Sequence, residues 1–170
     1  MDLIPSFQVD HTKIVPGIYE SRVDAIGGDF ATTFDIRMKT PNLEPAIHPN
    51  AMHTIEHVVA TFLRNDAEWK DRIVYWGPMG CLTGCYLIAK GRPKPQEICK
   101  LLLKAFDFLA GFAGPVPGAT AVNCGNYLLH DLTMAKWEAK RYAAVLREHP
   151  CFDYPLAERL VTKAGAFFDS

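Results

Sequence analysis

The chain has 170 residues, 49% of them apolar and 22% charged, with 18 basic side chains against 19 acidic ones. That composition can bury a core and excludes disorder as the main state, and a net charge of −1 gives no field that would gather nucleic acid. No window reaches the roughly 18 uncharged apolar residues of a membrane helix, because Lys104 and Asp107 interrupt the most apolar run. The first residues lack a basic region and a long apolar stretch, so the expected compartment is the cytoplasm. Cys81, Cys85, Cys99, Cys124 and Cys151 are an odd number with no disulfide framework and are expected to be reduced.

In chain order, residues 17–24 and 32–40 alternate apolar and polar side chains around Gly27-Gly28-Asp29, which predicts a β-hairpin with one face buried. A helix is expected over about 51–65 with Asn50 as its N-cap. Two further β-rich runs, 72–76 and 85–89, flank the glycine-rich loop from Gly77 to Gly84. Helices follow at 95–110, with Pro95 in the first turn, and at 131–148, with Asp131 as N-cap and Pro150 as stop. Strands in hairpin order without βαβ alternation give an α+β fold: an antiparallel sheet of about four strands with helices packed on one face. One catalytic domain spans 1–170, with 151–170 as an extension carrying a short helix around 156–163.

His53-Thr54-Ile55-Glu56-His57 carries the chemistry. Histidines at i and i+4 stand about 40° apart on a helix and can grip one metal ion. Glu56 beside the second ligand is placed to act as a base, in the inverted H-x-x-E-H order. A catalytic tetrahedral metal needs a third protein ligand and an open position; Cys124, set among turn-forming residues, is the candidate. Cys81 sits in a loop of glycine and proline that presents one side chain, as a proton-shuttling or nucleophilic thiol requires. The same pentapeptide also fits a metalloprotease with Glu138 as third ligand, or a closed structural site that recruits His130 or His11.

Five ordered pieces carry a resemblance: Ser6-Phe7 with Asp10-His11, Thr33-Phe34-Asp35-Ile36-Arg37, the His53–His57 pentapeptide, Gly77-Pro78-Met79-Gly80-Cys81 with Thr83-Gly84, and Cys124-Gly125-Asn126-Tyr127. Together they resemble the S-ribosylhomocysteine lyase (LuxS) family. The resemblance implies that His53, His57 and Cys124 hold a divalent metal, ferrous iron natively and often zinc after purification. It implies Cys81 and Glu56 as the acid–base pair, and Ser6, His11 and Arg37 as substrate-binding residues. It further implies a homodimer with active sites at the subunit interface. The implied reaction cleaves S-ribosylhomocysteine to homocysteine and 4,5-dihydroxy-2,3-pentanedione, the precursor of the quorum-sensing signal autoinducer-2. Leu82 stands where the family commonly has arginine, leaving the Cys81 thiol without a neighbouring cation in sequence, and Tyr75-Trp76 replaces Asp-Ile.

Overall fold

A computed structural model describes residues 9–155. Ser6 and the helix expected around 156–163 lie outside the described residues. Strands β1 (Gly17–Ile26), β2 (Asp29–Arg37), β3 (Ile73–Pro78) and β4 (Gly84–Lys90) form one antiparallel sheet in the order β1-β2-β4-β3. Helices α1 (Pro49–Leu63), α2 (Pro95–Gly111) and α3 (Leu132–Glu148) complete the expected α+β architecture.

Strand register decides which residues meet the helices. Ile18, Ile36 and Cys85 lie opposite one another across β1, β2 and β4. They belong to the main core with Ile55, Val58 and Val59 of α1, Leu102 and Phe106 of α2, and Ala139 and Tyr142 of α3. Because side chains alternate along a strand, the next row, Tyr19, Asp35 and Tyr86, points to the opposite face. There Val9, Ile14 and Tyr19 form a second, smaller cluster against which Cys151 and Tyr154 pack. Burying each large apolar side chain contributes about 1.5–3 kcal/mol, so the helical face carries most of the stabilisation.

Several boundaries differ from the sequence expectation for local reasons. β1 and β2 run on to Ile26 and Asp29, because Gly27 adopts φ 61° and closes a two-residue turn. β2 ends at Arg37 rather than Thr40: the Met38 and Lys39 amides both donate to the Thr83 carbonyl, at 2.9 and 3.0 Å, and leave the ladder. α1 begins at Pro49, whose fixed φ suits the first turn, so the N-cap is His48, which accepts from the Asn50 amide, and not Asn50. β3 continues through Gly77 and Pro78, and a register shift between Ile73 and Tyr75 leaves Val74 and Tyr75 both exposed before Trp76 turns in.

Candidate metal centre and active site

Helix α1 buries Ile55, Val58 and Val59 and leaves His53 and His57 on its half-buried side. Each imidazole is oriented by a carbonyl from the irregular segment between α2 and α3. His53 Nδ1 donates to the Leu129 carbonyl at 2.8 Å, and His57 Nδ1 donates to the Pro117 carbonyl at 2.7 Å. A carbonyl only accepts, so both rings carry the proton on Nδ1 and turn an Nε2 lone pair toward the cluster. Gly118, at φ 69°, brings the 117–118 backbone against His57; a Cβ there would stand 3.4 Å from His57 Nδ1.

Cys124 joins these two histidines. Its Sγ lies 3.5 Å from His53 Nε2, and the Asn126 amide points at the sulfur from 3.4 Å. His130 is the fourth member: its ring stacks on His53 with centroids 4.3 Å apart. The ligand atoms of His53, His57, Cys124 and His130 all lie within 4.8 Å of one another.

Thr54 fixes the protonation of His130. Its hydroxyl donates to the Asn50 carbonyl at 2.9 Å, and therefore accepts from the Asp131 amide at 3.0 Å and from His130 Nδ1 at 3.2 Å. Burial, and then the facing His53 and His57, hold His130 below the ordinary histidine value. Its Nε2 is buried without a hydrogen-bond partner. An orphaned acceptor costs free energy unless something binds it. Three imidazole nitrogens and a thiol converging on one point are a donor set suited to a transition metal, so the residues present fit such an ion.

The Cys81 loop joins β3 to β4. Gly84 has no Cβ because one would strike the Ile36 carbonyl, and this close approach sets Thr83 beside Arg37. Leu82 is held at φ 56°, a left-handed conformation that costs a side-chain-bearing residue about 1–2 kcal/mol. The Leu82 amide donates to the Met79 carbonyl and the Leu82 carbonyl accepts from Ile47, each at 2.9 Å, and together they pin that turn. Cys81 is thereby exposed at its tip. Its Sγ lies 3.1 Å from Thr83 Oγ1 and 4.0 Å from Arg37 Nη1. His11, Arg37, Cys81 and Thr83 share a cleft of about 450 Å³. Glu56 and His57 line another, of about 340 Å³, with Trp76, Pro117 and Gly118.

Residues 4–150 match the family model described as S-ribosylhomocysteinase (LuxS). The chain belongs to this family. It is 56% identical over 161 residues to the S-ribosylhomocysteine lyase of Phocaeicola vulgatus, covering 93% of this chain and 100% of that protein. The lyase of Porphyromonas gingivalis is 54% identical over 142 residues, covering 84% of this chain and 89% of that protein. That of Borreliella burgdorferi is 49% identical over 146 residues, covering 86% and 93%.

Against the expectations for a LuxS-family chain, the structure brings His53, His57 and Cys124 together, and His11, Arg37 and Cys81 together. Glu138, the ligand of the protease alternative, is instead buried in an ion pair with Lys39 at 2.8 Å, so it stands outside the cluster. The cation that sequence adjacency denies to Cys81 arrives from β2, because Arg37 reaches the thiol across the sheet. Three contributors escaped the sequence reading. Asp35 grips Arg37, Thr83 bridges Arg37 and Cys81, and Tyr154 donates to Asp35. The Asp35-x-Arg37 spacing held a signal, since residues two apart on a strand share a face.

Proposed function

We propose that the protein is an S-ribosylhomocysteine lyase whose chain works as a single catalytic domain. It releases homocysteine and 4,5-dihydroxy-2,3-pentanedione, the autoinducer-2 precursor, through metal-assisted acid–base steps. The reading is carried by one observation: in a LuxS-family chain, the donor atoms of His53, His57 and Cys124 converge within 4.8 Å. These three residues hold a divalent metal, and ferrous iron is the species we assign. When bound, the metal supplies Lewis-acid polarisation of the sugar's carbonyl and hydroxyl oxygens.

The chain's own residues move the protons. Cys81 and Glu56 take a proton from the carbon beside the carbonyl and return it to the former carbonyl carbon, while that carbon's hydroxyl proton passes to the former carbonyl oxygen, so the carbonyl moves from C1 to C2 and then to C3. With the carbonyl at C3, the C4 proton is acidic. Its removal by the same pair expels the homocysteine thiolate from C5 by β-elimination. Bonds rearrange without net redox. Arg37 and Thr83 hold the Cys81 side chain, and His11 with Arg37, joined by Ser6, binds the substrate's polar groups.

The protein acts as a homodimer with its active sites between subunits. What supports this is that His11, Arg37 and Cys81 line one cleft while Glu56 and His57 line another, so a second copy can bring the two sets to one substrate. A cytoplasmic setting agrees with the five free thiols, and no helix among the described residues is long and apolar enough to cross a membrane. The test is release of homocysteine thiol from S-ribosylhomocysteine by anaerobic, iron-loaded protein against a metal-free control. Cys81→Ala should keep the metal and lose turnover, whereas His57→Ala should lose the metal. Thiol release by Cys81→Ala at the parent rate would overturn the mechanism.

A further inference from the structure

The family match ends at residue 150, yet the chain runs on across the face of the sheet that carries Arg37. The Cys151 carbonyl accepts from the Ile18 amide at the outer edge of β1, and the Pro155 carbonyl accepts from the Asp10 amide, each at 2.9 Å. Gly17 makes room for this segment, because a Cβ there would strike the Cys151 carbonyl. Between these anchors the Tyr154 ring packs on Tyr19, with centroids 5.2 Å apart, and its hydroxyl donates to Asp35 Oδ2 at 3.0 Å.

Asp35 is fully buried, and its carboxylate is otherwise engaged by Arg37, through Nε to Oδ1 at 3.1 Å and through Nη2 to Oδ2 at 2.5 Å. Among the described residues, Tyr154 is the one donor to this carboxylate besides Arg37 itself. With Nε and Nη2 committed, the planar guanidinium has one direction left for Nη1, which donates to Thr83 Oγ1 at 2.7 Å and stands 4.0 Å from Cys81 Sγ. A free carboxylate can rotate about its side-chain torsions, and a third hydrogen bond from a fixed ring removes that freedom. Burial, and next the Asp35 charge, raise the Tyr154 phenol above its ordinary value, so it stays a donor.

We propose that Tyr154 is a positioning residue for the Cys81 thiol: acting through Asp35 and Arg37, it makes residues 151–155, which follow the family model's match, part of the active site. This rests on the assignment of Cys81 as a catalytic group. Tyr154→Phe removes the hydroxyl and keeps the ring on Tyr19. The variant should fold and bind metal, while kcat/KM falls about tenfold, the loss expected for one hydrogen bond to a charged group. Alkylation of Cys81 by iodoacetamide, followed by mass spectrometry of its peptide, should slow by a similar factor at the same pH. A lowered melting temperature with kcat/KM and alkylation both unchanged would make Tyr154 merely structural and overturn the proposal. The alkylation rate needs no substrate, so it tests the Tyr154–Asp35–Arg37 chain by itself. Normal turnover by Cys81→Ala, by contrast, would remove only the catalytic reading beneath it.

Discussion

Asp35→Asn is the substitution that most directly probes how the Cys81 cleft is held. The Asp35 side chain is 0% exposed and that of Arg37 is 3% exposed, so the change strips a counter-charge from a guanidinium that is almost wholly buried. Breaking a buried pair by removing one partner costs about 3–5 kcal/mol, most of it from the charge left behind. Asparagine keeps the shape and one acceptor oxygen, which recovers about 1 kcal/mol as a single hydrogen bond, and a net loss near 3 kcal/mol is expected. For a chain of this length that corresponds to a fall of about 6–12 °C in melting temperature. Urea unfolding with unchanged slope gives the free energy directly. Adding Arg37→Met should return part of the loss, because neither charge then remains buried alone. A loss below about 1 kcal/mol, or a double variant no more stable than Asp35→Asn, would refute the claim that the ion pair is desolvated as described.

Two further outcomes concern the metal centre. His130→Ala should weaken metal binding by about 10–100-fold in competition with a chelator, since it removes both the unpartnered Nε2 lone pair and the ring stacked on His53; unchanged affinity would exclude His130 from the site. Chelation of the metal should raise hydrogen exchange across residues 116–130 while β2 and β4 keep their protection, because that segment is anchored by His53 and His57 rather than by secondary structure; uniform exposure of the sheet would contradict this.

The elements were legible because their signals are local. Alternation marks β1 and β2, and the stripe of Ile98, Leu101, Leu102, Ala105, Phe106 and Leu109 marks α2; all six are buried. Asp131 caps α3 as its side chain predicts, accepting from the Met134 amide at 2.9 Å. The pairing of His53 with His57 was legible for a similar reason, since i and i+4 spacing on one helix needs no knowledge of the fold. Contacts over long separations were not. Arg37 meets Cys81 across 44 residues and Tyr154 meets Asp35 across 119, and no periodicity encodes either meeting. His130 was legible only as one of two histidines that a closed site could recruit; Thr54, which fixes its tautomer, reaches it from 76 residues away.

Those long-range contacts hang on one quantity, the register of β1, β2 and β4. Arg37 pairs with Gly17 on one side and Gly84 on the other, and both glycines are places where a Cβ would strike backbone. A slip of one residue would put Arg37 on the helical face and Ile36 on the cleft face, burying an unpaired cation in the core. The row of Ile18, Ile36 and Cys85 prevents this, since all three are fully buried against the helices and lose their core contacts in any other register. The hydrophobic core therefore aims the Cys81 cleft. Packing on one face of the sheet fixes which side chains appear on the other, and Asp35, Thr83 and Tyr154 then set the angle at which Arg37 meets the thiol.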